Sequence, residues 1–93
     1  MDMYILAKGD SMMPTLVDGE YYQVDPVENS EISPGDIIVF NKNGIAICHR
    51  VLQVISTRSG KTFIQTKGDN CPIPDNFVVT TDMIIGRIQN HKE

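Results

Sequence analysis

The chain has 93 residues and is 41% hydrophobic, enough for one modest core, so a single domain over residues 1–93 is expected, with any active site a surface cleft. Eight Lys and Arg stand against twelve Asp and Glu, for a formal net charge of −4, and the cations form no run. That excludes a phosphate-tracking face and with it nucleic acid as an expected ligand, because neutralising phosphates takes clustered cations.

In chain order, Met1-Asp2-Met3 has neither the positive start nor the apolar run of a secretory signal. Tyr4 to Ala7 reads as a short first strand, broken by Gly9-Asp10-Ser11 and Pro14, which place Ser11 on a bend. Val17-Asp18-Gly19 reads as a turn and Tyr21 to Val24 as a strand of aromatic and β-branched residues. A polar connection, Pro26 to Pro34, leads to the apolar strand Ile37 to Phe40, and Asn43-Gly44 then gives a two-residue hairpin signal.

The return strand runs from about Ile45 to Ile55. Period-2 alternation places Ile45, Ile47, His49, Val51 and Gln53 on one face, with Ala46, Cys48, Arg50, Leu52 and Val54 on the other. A turn at Arg58-Ser59-Gly60 precedes a strand from Thr62 to Thr66, and Lys67-Gly68-Asp69-Asn70 opens a loop through Pro72 and Pro74. Phe77 to Thr80 and Ile84-Ile85 read as closing strands, and His91 as a solvated residue of the polar C-terminus.

The pattern predicts a mainly β fold with little helix, a small coiled antiparallel sheet or partly open barrel. The apolar runs Ile37 to Phe40 and Met83 to Ile85 fall far short of the roughly 20 residues that span a bilayer, so no transmembrane segment is expected and the cytoplasm is the default location. Cys48 and Cys71 lie in different segments without zinc-ligand spacing, so both are expected free, with no metal and no cofactor.

A serine hydroxyl is a weak nucleophile until a nearby base takes its proton as it attacks a carbonyl. Ser11 on a tight turn is well placed for attack, with Gly9 allowing close approach of a substrate and backbone N–H groups near Ser11 available to an oxyanion. By itself Gly-Asp-Ser-Met also fits a turn-capping role.

The surrounding segments resemble those of a known group. Gly9-Asp10-Ser11-Met12-Met13-Pro14-Thr15-Leu16 resembles the nucleophile box of the signal peptidase I and LexA-like serine peptidases, the S24/S26 superfamily. Gly35 to Phe40 resembles their next strand, Ile47-Cys48-His49-Arg50-Val51 their base-bearing strand, and Thr66-Lys67-Gly68-Asp69-Asn70 their Gly-Asp-Asn box. The resemblance implies a coiled all-β peptidase core with Ser11 as nucleophile.

It also implies His49 as base. Many relatives use a lysine there, which must be desolvated to accept a proton at neutral pH. A histidine, as in the endoplasmic-reticulum, archaeal and spore-former enzymes, needs its ring held in the right tautomer by an acid or carbonyl. Asp69 and Asp75 are the candidates. In the histidine branch the catalytic acid follows the Gly-Asp-Asn aspartate by six residues, which assigns Asp75 and leaves Asp69 in a supporting role with Gly9, Met12 and Asn70. Lys67, inside the box, matches no base of the family.

What the resemblance implies is a serine endopeptidase that cleaves signal or leader peptides from precursors, with small residues before the cut. It acts without a cofactor, with a membrane surface or a membrane-anchored partner as a further contact. Gly9 stands where many bacterial enzymes have a serine that aids the oxyanion, which leaves the second oxyanion donor open. Two other readings remain: a LexA-like self-cleaving regulatory domain, for which the sequence has neither an Ala-Gly nor a Cys-Gly dipeptide, and an inactive peptide-binding module of the same fold.

Overall fold

The computed structural model describes residues 2–89; His91 lies outside them. Seven strands follow in order: β1 Met3–Leu6, β2 Tyr21–Val24, β3 Ile37–Lys42, β4 Ile45–Ser56, β5 Thr62–Lys67, β6 Val78–Thr80 and β7 Ile84–Ile88. Among the described residues, helical content is limited to two single 3-10 turns, Asn29–Glu31 and Thr81–Met83. The expected mainly β architecture is present as two antiparallel sheets: a two-stranded β1-β2 ribbon and a five-stranded sheet in the order β6-β5-β4-β3-β7. Neither closes into a barrel.

The hairpin between β3 and β4 forms as the Asn43-Gly44 pair predicts. Both residues have positive φ, 55° and 83°, the twist that a two-residue turn needs to match right-twisted strands. The ribbon is tied to the sheet by a bridge between Asp25 and Arg87, with backbone hydrogen bonds of 2.9 Å in both directions. Gly86 permits this approach, since a Cβ there would sit 2.6 Å from the Asp25 carbonyl oxygen.

Strand β3 explains why its sequence runs apolar without alternation. One face, Ile37 and Val39, packs with Met12, Leu16, Val24 and Ile88, while the other, Ile38 and Phe40, packs with Ile32, Val51, Ile64 and Val79. Ile37, Ile38, Val39 and Phe40 are all buried, as expected for a stretch covered on both faces. Each such side chain contributes about 1.5–3 kcal/mol of transfer free energy.

Strand β4 departs from strict alternation. Its partners in β5 pass from Thr66 opposite Val51 to Gln65 opposite Gln53, so Leu52 is an extra residue. This bulge restarts the alternation, and Val54 joins Val51 and Ile47 on the same core rather than facing the other side. Upstream of the bulge the predicted faces hold, and Cys48 packs against the Met12 core, opposite Ile47.

Candidate active site

Three segments distant in sequence meet at one end of β4. The turn carrying Ser11 follows β1, with Met13 N–H donating to the Asp10 carbonyl at 3.1 Å and Leu16 N–H to that of Met12 at 2.9 Å. Gly9 has φ 86°, and its N–H donates to Asp18 Oδ1 at 2.8 Å, pinning the start of the turn to the Asp18-Gly19 bend. Met12 anchors the turn from below, 5% exposed in the core.

The Gly-Asp-Asn loop closes over this turn. A Cβ on Gly68 would lie 2.6 Å from the Ser11 carbonyl oxygen and 3.2 Å from Ser11 Cβ, so only glycine fits. Asn70 N–H donates to the Ser11 carbonyl at 2.8 Å, and Asn70 Nδ2 to the Asp10 carbonyl at 3.0 Å. Asp69 N–H meets Met12 Sδ at 3.2 Å.

Asp69 does not reach His49. Its carboxylate accepts from Arg50 Nε at 2.8 Å, Arg50 Nη2 at 2.7 Å and Thr15 Oγ1 at 2.6 Å, while Arg50 Nη1 donates to the Gly35 carbonyl at 2.7 Å. This bidentate fork holds the Asp69 carboxyl below its ordinary value, through the Arg50 hydrogen bonds first, and pushes the Arg50 guanidinium up.

His49 and Arg50 are consecutive, so alternation sends them to opposite faces of β4. His49 Nε2 lies 3.2 Å from Ser11 Oγ, and Nδ1 lies 2.7 Å from Asp75 Oδ2. An ionised carboxylate can only accept, so Nδ1 carries the hydrogen, and Nε2 of the neutral ring is left as the acceptor facing Ser11. Phe40 stands edge-on to the imidazole at 6.4 Å between ring centroids. Asp75 Oδ2 also accepts from Thr66 Oγ1 at 2.6 Å, and Asp75 N–H donates to the Thr66 carbonyl at 2.9 Å.

Of the residues singled out in the sequence, Ser11, His49 and Asp75 thus form one hydrogen-bonded chain. Asp69, Gly9, Met12 and Asn70 surround the nucleophile turn. Lys67 is turned to its neighbour's carbonyl, Nζ donating to Gly68 O at 3.0 Å. Thr66, Thr15 and Arg50 were not singled out. A sequence signal for Thr66 exists: it shares the inward face of β5 with the fully buried Ile64, and a polar residue on such a face needs a partner.

Ser11 and His49 line a cleft of about 560 Å³ between β1 with its following residues and the first half of β4. Ile5, Met12, Leu16, Ile47 and Phe77 make its wall mostly apolar. Ile45 to His49 pair only with β3, because β5 begins to pair at Arg50, which leaves their other edge open to the cleft among the described residues. A second hollow of about 710 Å³, beside Asn29, Lys61 and Asp82, shares no lining residue with it. Both cysteines are free, and no cluster of His, Cys, Asp or Glu among the described residues could hold a metal ion.

A serine, histidine and aspartate hydrogen-bonded in series match the geometry of a serine-hydrolase triad, which recurs on unrelated folds. The chain matches the Peptidase S24-like family over residues 1–89 and belongs to it. It is also 32% identical over 92 residues to the signal peptidase complex catalytic subunit sec11 of Dictyostelium discoideum, with 89% of this chain covered. That likeness sets it in the endoplasmic-reticulum-type branch of the S24/S26 serine peptidase superfamily. The chain spans about half the length of this relative, 51%.

Proposed function

We propose that this protein is a serine endopeptidase that cleaves signal or leader peptides from precursor chains through an acyl-enzyme. The observation that carries the reading is the unbroken chain from Ser11 Oγ through His49 to Asp75 at the wall of an apolar cleft. An extended substrate adds to the open edge of β4 at Ile45 to His49, which sets its scissile carbonyl beside Ser11.

Ser11 Oγ attacks the carbonyl carbon as its proton passes to His49 Nε2, and Asp75 stabilises the imidazolium through Nδ1–H. The negative oxygen is met by the Ser11 N–H, which has no acceptor among the described residues. Collapse breaks the peptide C–N bond, and His49 gives the proton to the leaving amine. Water, deprotonated by His49 in turn, hydrolyses the ester and restores Ser11.

No helix among the described residues is long and apolar enough to cross a membrane. The sec11 relative is by name one subunit of a complex, and a membrane surface or a membrane-anchored partner is the proposed setting for this chain. The test is cleavage of a panel of signal-peptide and leader-peptide precursors by wild type, Ser11→Ala and His49→Ala. Cleavage by wild type alone is expected; equal turnover by all three sinks the assignment.

A further inference from the structure

Each trans peptide has its C=O and N–H pointing in opposite directions, so holding one end of the unit aims the other. The peptide joining Asp10 to Ser11 carries the N–H assigned above to the oxyanion. Its carbonyl is gripped by two donors, Met13 N–H from within the turn at 3.1 Å and Asn70 Nδ2 from the Gly-Asp-Asn loop at 3.0 Å. The next peptide, Ser11 to Met12, is held in the same way by Asn70 N–H on the Ser11 carbonyl at 2.8 Å. One residue therefore fixes both peptide planes that flank the nucleophile.

We infer that Asn70 is a positioning residue for the oxyanion: its side-chain amide holds the Asp10 carbonyl and so aims the Ser11 N–H away from the loop, at the developing charge. The inference rests on the peptidase reading. Its backbone bond to Ser11 survives Asn70→Ala and Asn70→Asp, so these variants loosen the Asp10–Ser11 plane alone and leave Met13 N–H as the remaining donor to its carbonyl. The Asn70 side chain makes no hydrogen bond to the side chains of Ser11, His49 or Asp75, so the bonds among those three are expected to be left as they were.

Asn70→Ala and Asn70→Asp test this, the second keeping the shape but presenting oxygen where the donor was. Losing an oxyanion donor outright costs about 10²–10³ in kcat, and a donor misaimed but present is expected to cost about 10–10². KM stays within about twofold, since the developing charge exists only in the transition state. The Asp10 carbonyl ¹³C and Ser11 amide ¹⁵N resonances of both variants are expected to move while those of His49 and Asp75 stay.

Unchanged kcat overturns the inference, as does a fall in kcat that merely tracks loss of folded protein by circular dichroism. If the wild type cleaves no precursor in the panel, the peptidase reading fails separately. The resonances of residues 10 and 11 then decide the clamp, and their indifference to Asn70→Ala overturns it.

Discussion

Thr66 holds Asp75 at two points: its hydroxyl donates to Oδ2 at 2.6 Å, and its carbonyl accepts from the Asp75 N–H at 2.9 Å. The first bond falls on the same oxygen that faces His49, so the rotamer of the acid depends on a residue buried at 0% exposure. In Thr66→Val the shape is kept and the donor lost. A hydrogen bond to a charged group contributes about 1.5–3 kcal/mol, so turnover is expected to fall by roughly 10- to 100-fold, read as kcat on a cleaved precursor.

Gly68→Ala should damage the fold and the nucleophile together. The new methyl would meet backbone, the Ser11 carbonyl at 2.6 Å, which cannot give as a flexible side chain would. Overpacking of this kind costs about 1–3 kcal/mol, and for a chain of this size about 4–8 °C of Tm per kcal/mol. Calorimetry reads the first effect and kcat the second; an unaltered Tm contradicts the close approach.

The fork between Arg50 and Asp69 ties the Gly-Asp-Asn loop to β4 and predicts a pH signature. Asp69 has a lowered folded value, so its contribution is fully present above the unfolded carboxylate value of about 3.9 and is lost as pH falls through the lower folded one. Asp69→Asn is therefore expected to lower Tm at pH 7, with the gap to wild type closing only below about pH 4. A gap that stays constant down to pH 2 excludes the ion pair as its source.

Cys48 packs against the Met12 core, and burial pushes its thiol up to about 11. At pH 8 only about one thiol in 10³ is then ionised, so an exposed-thiol reagent should modify Cys48 far more slowly in the native chain than in denaturant. Peptide mapping after a brief exposure checks this, and equal rates in both states contradict the burial.

Much of the site was legible because it rests on short contiguous boxes. Gly9 beside Ser11 announces a tight turn, and the alternation of Ile47, His49 and Val51 fixes the face on which the imidazole lies, whereas the close approach at Gly68 went unread. The six-residue step from Asp69 to Asp75 treats the two acids differently, and they have different partners: one meets Arg50, the other His49. What stayed hidden was non-local or irregular. The bulge at Leu52 leaves no mark in an apolar strand, so Val54 was expected on the wrong face. Thr66 and Thr15 donate to carboxylates 9 and 54 positions away, pairings that only the closed chain brings together.

The tethers on the nucleophile turn reach across most of the molecule: Thr15 to Asp69, Met12 to Asp69 and Asp10 to Asn70 are separated by 54, 57 and 60 positions. Closing such loops is entropically slow and comes late, after the local hairpins. A nascent or proteolytically clipped chain lacking residues 66 to 75 thus keeps the local bonds of the Ser11 turn and loses the tethers from Asp69 and Asn70 and the Asp75 partner of His49. Under the proposed peptidase reading, reactivity toward peptides is therefore expected only once these distant segments have closed.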